Sequence, residues 1–282
     1  MDAHRTVWPL QTMCRTLAVS PSGYYAWRRR RPAAAFHRRQ ALTTAIREVH
    51  AQSRRTYGSP RITAALNKKR VTCCVNTVAK IMRNDGLAAT VKRRFKVTTD
   101  SSHDLPTAPN RLARCFVRTR PNEAWVSDIT FIATQEGWLY LATEMDLHSR
   151  RIVGWALSDR LTSDLVAKAL EMAIAHRQPS AGLLHHSDRG CQYASGAFRQ
   201  LLTGQGMVCS MSRKGNAYDN APMESFFGTL KRELVRGGIF ATRNQARTAL
   251  FEYIEVFYNR QRLHSTLGYR SPEEFEANGN DP

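Results

Sequence analysis

Apolar positions follow two different rhythms along the chain, and the change falls near residue 123. Before it they recur at helical spacing. Leu10, Met13, Cys14 and Leu17 stand at i, i+3, i+4 and i+7, the signature of one helix face. Ser20-Pro21 pairs an N-cap residue with a proline in the first turn, so a second helix is predicted to carry Tyr24, Tyr25 and Trp27. A further helix is expected around 36–53. Tyr57-Gly58-Ser59-Pro60 then reads as a turn opening a helix with Ile62, Ala65 and Leu66 inward. Asn76 is expected to cap the next helix, with Val78, Ile81 and Met82 buried and Gly86 closing it. Two pairs of helices with tight joints suggest helix-turn-helix units; a plain helical hairpin is the competing reading.

After residue 123 the rhythm becomes that of strands. Trp125–Ile132, Trp138–Leu147 and Arg151–Ser158 read as three strands, with turns at Gly137 and His148-Ser149. A helix at 164–177 turns Leu165, Val166, Ala169, Leu170 and Ala173 inward. The strand Leu183–His186, a helix around 195–204 and the strand Met207–Met211 follow. A loop at Gly215–Asn220 leads to a helix starting at Ala221-Pro222, with Met223, Phe226, Phe227, Leu230 and Leu234 buried. The last helix, 244–258, buries Ala246, Leu250, Tyr253 and Phe257. Three meandering strands followed by alternating helix and strand predict a mixed α/β sheet. The boundaries expected are a helical region at 1–96, a linker at 97–122, an α/β core at 123–240, and a C-terminal helix and basic tail at 241–282 packed on that core.

Charge adds a partner to this picture. The 282 residues hold 42 Lys and Arg against 23 Asp and Glu, a net of +19. Residues 1–100 alone carry 21 basic and 4 acidic side chains, while residues 101–282 carry 21 and 19. A basic block on a foldable segment is the footprint of a polyanion, and double-stranded DNA is the expected one. Arg28, Arg29, Arg30 and Arg61 are its expected contacts in the helical region. An acidic membrane surface and ribosomal association are the competing partners. The six cysteines form no C-x-x-C pair and no zinc spacing with histidine, so buried free thiols in a reducing compartment are expected. No secretory leader and no apolar run of about 20 residues is present, so a cytoplasmic protein with no membrane partner is expected.

Three carboxylates stand out for chemistry. Asp128 lies in the middle of a strand, where a buried charge needs a metal or an arginine beside it. Asp188 ends a short apolar strand, where α/β sheets present functional groups. Glu224 opens a helix on the border of its buried stripe. Lys231 lies two turns further on, on nearly the same face. Each has an ordinary alternative: an ion-paired strand residue, a turn aspartate, a helix-start acid. Together they can converge at one sheet edge. An all-carboxylate set favours hard ions, Mg²⁺ or Mn²⁺. Two such ions can clamp the attacking and leaving oxygens of a phosphoryl transfer.

Several strings carry a family resemblance. They are W-V-S-D-I-T-F-I at 125–132, H-S-D-R-G-C-Q-Y-A-S at 186–195 and S-R-K-G-N-A-Y-D-N-A-P-M-E-S-F-F at 212–227. Y-G-S-P-R-I at 57–62 and Y-N-R-Q-R-L-H-S-T-L-G-Y at 258–269 extend them. From about residue 10 to 276 the chain resembles the second-reading-frame transposase of bacterial insertion sequences of the IS-three type. The 35 residues between Asp188 and Glu224, and the basic residue seven after the glutamate, match that family and the retroviral integrases. The resemblance implies a ribonuclease-H-like core, a five-stranded mixed sheet with flanking helices, preceded by an all-α helix-turn-helix region. It implies Asp128, Asp188 and Glu224 as metal ligands for two Mg²⁺ or Mn²⁺ ions, and cleavage of element ends followed by 3′-hydroxyl strand transfer. A homo-oligomer on DNA and a first-reading-frame partner, separate or fused by frameshifting, are also implied. The chain departs from retroviral integrases in having no N-terminal His/His/Cys/Cys zinc spacing, and it shows no sustained heptad. Phe131 and Cys191 stand where Tyr and Ser are ordinary in the family.

Other candidates surround this set. Asp146 and Asp219 are alternative ligands. His185-His186 suggests zinc, but neighbours on a strand point to opposite faces. Lys231, Arg213, Lys214, Asn216, Tyr218 and Asn220 are expected DNA contacts, against a solvated loop for the 213–220 stretch. Arg260, Arg262 and His264 are read either as phosphate ligands or as a solvated basic tail. A nuclease acting on RNA–DNA hybrids and a non-enzymatic DNA-binding regulator are the rival functions; the basic helices oppose the first and the intact carboxylate set the second.

Overall fold

A computed structural model describes residues 1–29, 34–89, 107–213, 216–236 and 238–279. Five helices come first: α1 (Leu10–Thr16), α2 (Pro21–Arg29), α3 (Ala34–Gln52), α4 (Ser59–Lys68) and α5 (Val75–Asn84). Helices α4 and α5 pack together and against α3, burying Ile46, Val49, Ile62, Leu66, Val78, Ile81 and Met82. Their apolar spacing explains this, since each stripe needs a facing one. The cap of α5 differs from expectation. Cys74 is its N-cap and Asn76 lies inside the first turn. Cys74 makes no capping hydrogen bond to the helix backbone; its Sγ meets the Thr77 hydroxyl at 3.1 Å. The pair α1–α2 is thinly buried: Cys14 and Tyr24 are inside, whereas Leu17 and Trp27 are exposed.

The core is one five-stranded sheet of order β3-β2-β1-β4-β5, built from β1 (Ala124–Thr134), β2 (Gly137–Asp146), β3 (Ile152–Ser158), β4 (Leu184–Ser187) and β5 (Val208–Met211). Strands β1 to β3 are an antiparallel meander, and β4 and β5 run parallel to β1. The sheet is therefore mixed, as the pattern required. On one face lies α6 (Ser163–Arg177), with α7 (Cys191–Ala194) and α8 (Gly196–Gly204), over Trp125, Ala142 and Val153 of the sheet, and Phe198 of α8 joins that core. Gly154 of β3 permits this approach: a Cβ there would stand 2.2 Å from the Ala169 carbonyl and 2.6 Å from the Ala173 nitrogen.

The other face is covered by α9 (Ala221–Leu230) and α10 (Arg243–Phe251), each continuing as a π-helical stretch, Lys231–Val235 and Glu252–Tyr258. The stripe Ala246, Leu250, Tyr253 and Phe257 is buried as predicted. A last helix, α11 (Pro272–Asn278), opens with a Ser271/Glu274 capping box. The helical region shares this second core. Ile46, Ile62, Leu66 and Tyr57 belong to the same apolar cluster as Val126, Phe227 and Tyr253. Tyr57 accepts the Leu263 N–H at its hydroxyl (2.7 Å), and Lys68 pairs with Glu274 (2.6 Å).

Residues 107–122 form no helix or strand, yet they are stitched to the sheet edge. The amides of Arg111 and Leu112 donate to Ser210 Oγ (2.9 and 3.2 Å), and Leu112 is fully buried. All six cysteines are free, but only Cys14 is buried. The expectation of buried thiols fails for Cys74, Cys115 and Cys191, which lie at exposed turns and helix starts. Among the described residues no helix is long and apolar enough to cross a membrane.

Candidate active site

Strand register brings the two aspartates together. Val126 of β1 stands beside His186 of β4. Asp128 lies two residues further along β1, and Asp188 lies two residues past His186, just beyond the end of β4, so both stand at the same end of the sheet. Val126 packs in the apolar cluster that α9 covers, and strand alternation puts Asp128 on that same side of β1, on which α9 packs. Glu224, in the first turn of α9, approaches from above while Met223, Phe226 and Phe227 anchor its helix in the core.

The electrostatics record this convergence. Asp128 is half-buried in β1. Burial pushes its carboxyl well above the usual range, and the charges of Asp188 and Glu224 push it further. The Ile129 N–H, donating to Asp128 Oδ1 at 2.8 Å, opposes the rise, as does Lys231. Lys231 is half-buried in turn, and burial lowers its ammonium pKa against the pull of Asp128. Asp188 Oδ1 accepts the Gly190 N–H at 2.9 Å. A side chain at Gly190 would stand 3.0 Å from that oxygen, so the glycine keeps the carboxylate's turn clear. Among the described residues, no three His, Cys, Asp or Glu side chains converge tightly enough to ligate one ion. The arrangement is an open set of carboxylates around Asp128.

Supporting groups lie behind it. Asn220 donates to the Ser127 carbonyl at 3.1 Å, and Ser127 Oγ donates to the Tyr193 hydroxyl at 2.9 Å. Asn220 is buried, so it fixes the entry to α9 from within and does not offer its amide to an outside ligand. His186 spans Ser210 Oγ (2.8 Å) and Ser212 Oγ (3.2 Å); burial and His185 lower its pKa to about 4, leaving it neutral near pH 7. His185 lies on the opposite face, 3.0 Å from Glu144. The two histidines cannot share an ion.

The alternative ligands have other work. Asp146 accepts from the Asn122 and His148 amides (2.8 Å each) and from Arg177 (3.1 Å). Asp219 is fully buried and accepts from the Arg213 amide and guanidinium (2.9–3.0 Å), from Arg114 (3.0 Å) and from Asn110 (2.9 Å). Those arginines hold its carboxyl far below the usual range. Sequence reasoning saw Asp219 only as a possible ligand and missed it as the knot of this loop. Arg114, a hundred residues upstream, carried no local signal.

The predicted DNA contacts scatter. Arg213 is exposed but tied to Asp219, Asn216 accepts from Arg114 (3.0 Å), and Tyr218 is 74% exposed beneath the Arg114 guanidinium. Arg28 approaches Asp2 (3.8 Å), and Arg29 is exposed. Arg61 lies over the Tyr57 ring, far from α1 and α2 in sequence. Arg30 and Lys214 fall outside the described residues. The solvated-tail reading of 260–264 holds for Arg260, which meets Glu273 at the surface (3.5 Å). It fails for Arg262, which is 3% exposed and paired with Glu233 (2.8 Å) because the chain turns inward after α10.

Comparison with known proteins places this geometry. Residues 118–217 and 224–278 match two models described as integrase core domain, and residues 37–95 match an HTH-like domain. A 31 kDa protein of insertion element IS600 from Shigella sonnei is 45% identical over 93% of this chain and 97% of its own length. The transposase InsF of insertion sequence IS3A from Escherichia coli is 40% identical over 98% of this chain and 96% of its own. The chain belongs to the IS3 family of transposases. The first integrase-core match ends at residue 217 and the second begins at Glu224, so Asp128, Asp188 and Glu224 all lie inside matched segments. The catalytic core of the HTLV-2 integrase, a structure with magnesium, overlays with a TM-score of 0.42 at 18% identity, covering 56% of the transposase and 97% of that chain.

Proposed function

We propose that Asp128, Asp188 and Glu224 form the catalytic centre of this transposase, and that it cuts insertion-sequence ends and transfers the 3′-hydroxyl to target DNA. What supports the reading is that Asp128 on β1 and Asp188 just past β4 come from adjacent parallel strands, and that the charges of Asp188 and of Glu224 on α9 both act on the Asp128 carboxyl. The donor set fits hard divalent ions: three carboxylates, no thiolate or free imidazole, and a central Asp128 whose charge is disfavoured by its neighbours until a cation joins it. Two Mg²⁺ or Mn²⁺ ions held there would supply the positive charge that offsets the developing charge on phosphorus and on the entering and leaving oxygens.

The chain's own groups position the DNA. Lys231, drawn towards Asp128 from the same helix, sits where it can hold a phosphate oxygen next to the carboxylates. Asn220 and the Asp219 knot fix the start of α9 and hence Glu224. Exposed Tyr218, backed by Arg114, offers a face for a base. In cleavage, a water oxygen bonds to phosphorus and the 3′-oxygen leaves, taking up a proton. In transfer, that 3′-hydroxyl bonds to a target phosphorus and displaces another 3′-oxygen. The cleavage is a hydrolysis that leaves a 5′-phosphate and a 3′-hydroxyl, and the transfer forms one phosphodiester for the one it breaks, so no external energy source is required.

The basic helical region, with its HTH-like match, grips DNA mainly through phosphates. Cytoplasmic location, a homo-oligomer acting on two ends, and a first-reading-frame partner complete the proposal. The test is a cleavage and joining assay with Mg²⁺ or Mn²⁺ on labelled duplex from both flanks of its gene. Products should appear with the wild type, with the partner added if needed, and vanish in Asp188→Asn. Cleavage that persists in Asp188→Asn, or that never appears with the partner present, defeats the proposal.

A further inference from the structure

An open cavity of about 300 Å³ lies between α4, the turn after β2, the first half of α9 and the C-terminal arm. Its charged lining has one sign. Arg61, Arg150, Arg262 and His264 face it, with the hydroxyls of Ser225 and Thr266 beside them. Arg262 is neutralised by Glu233 at 2.8 Å. Among the described residues Arg61 and Arg150 make no ion pair: Arg61 stacks on Tyr57, and Arg150 donates to the Phe116 carbonyl (3.2 Å). His264 is 9% exposed and lies 3.4 Å from Arg262. Burial and then the three guanidiniums keep its imidazole well below the usual pKa, hence neutral. The cluster thus holds three cations against one carboxylate.

Gathering like charges in a partly desolvated pocket is costly unless an anion joins them. Guanidinium forks match the oxygens of a phosphate, and hydroxyls complete the donor set. The place is informative too. Ala221, Pro222 and Ser225 line the cavity and flank Glu224 on the same helix. Arg61 comes from the HTH-like region, Arg150 from the core and Arg262 from the C-terminal arm, so an occupant would tie three distant segments together.

We infer that this cavity is a phosphate subsite that seats a backbone phosphate of the DNA strand next to the carboxylate centre. The inference rests on the proposed DNA chemistry and adds a site to it. The shared chemistry is a phosphate group; its competing source is free phosphate or a free nucleotide.

The test is fluorescence anisotropy of the full chain with labelled duplex from its gene's flanks, between about 50 and 200 mM salt. The proteins are wild type, Arg61→Gln, Arg150→Gln, Ser225→Glu and, as control, Lys168→Gln on the far face of the sheet. Losing one phosphate contact should flatten the slope of log affinity against log salt by about one and weaken binding roughly eightfold at 0.1 M. Ser225→Glu removes no core group and adds a repelling charge at the mouth, so it covers the case in which an arginine variant misfolds. The control should match wild type. If the wild type binds and all three pocket variants keep its slope and affinity, the inference is overturned. If inorganic phosphate raises the wild-type Tm through Arg61 and Arg150 while the DNA slope is unmoved, the pocket serves free phosphate and the DNA assignment is wrong. If the wild type nicks and joins DNA normally while the pocket variants bind like it, this subsite alone fails; absence of any DNA binding by the wild type sinks the parent proposal as well.

Discussion

Asp219→Asn probes the loop that delivers Glu224. The carboxylate has no solvent exposure and accepts five hydrogen bonds, three from Arg213 and one each from Arg114 and Asn110. Four are charge-assisted or rigid enough to count, and a hydrogen bond to a charged group is worth about 1.5–3 kcal/mol. They share two arginines that are roughly half in solvent, so screening and non-additivity reduce the total. About 3 kcal/mol is a reasonable net loss, since an amide also presents two donors to guanidiniums. For a chain of this size that is about 6–10 °C in Tm. The pH dependence has a definite sign. The folded carboxyl pKa is depressed below its unfolded value, so its stabilisation is full above the ordinary aspartate pKa of about 3.9 and fades as pH falls below it. The Tm gap between wild type and Asp219→Asn should be flat from pH 7 to 5 and narrow below pH about 4. Joining activity should fall while duplex affinity holds, because the loop positions Glu224. A gap that does not narrow in acid, or an unchanged Tm at pH 7, refutes the reasoning.

Other changes follow from the same physics. Gly154→Ala drives a methyl into the α6 backbone at 2.2 Å and should cost at least about 1–3 kcal/mol, read as a lower urea midpoint; an unchanged midpoint would show that the helix moves freely. Arg262→Met strands the buried Glu233 with Tyr253 as its remaining donor and should cost about 3–5 kcal/mol, while Arg262→Met/Glu233→Gln should recover part of it. A double mutant no better than the single would deny that the stranded charge is the cause. Asp188→Asn should abolish cleavage and, without added metal, leave Tm equal or higher, because it removes a charge that repels Asp128; a large drop in Tm would make Asp188 a structural residue instead.

The elements were legible because each buries a stripe matched to its own period. The inward residues of α6 and of the helix from 243 to 258 could be named from spacing alone, and every one is buried. The three carboxylates stand out only as a set: a turn aspartate and a helix-start acid each fit their local pattern, and it is the strand-centre Asp128 together with the 35-residue interval from Asp188 to Glu224 that singles them out. The parts that stayed hidden are those in which the partner is remote. Asp219 and Arg114 lie 105 residues apart, and Arg262 and Glu233 lie 29 apart with a helix between them. No periodicity encodes such pairs. Residues 107–122 look like a linker because their amides bind Ser210 rather than a strand ladder, and side-chain acceptors leave no alternation behind.

The same distinction explains why the basic tail was the least readable part. Arg260 and Arg262 are two residues apart and chemically alike, yet one meets Glu273 in solvent and the other is sealed against Glu233. A charge run specifies no depth; depth is set by what the fold folds over it. Here Tyr57, just before α4, closes over Leu263, and Arg61 in the first turn of α4 lies over the Tyr57 ring. The helical region therefore does more than add positive charge to the chain. It completes the wall of a cationic cavity whose other side is α9, the helix that carries Glu224.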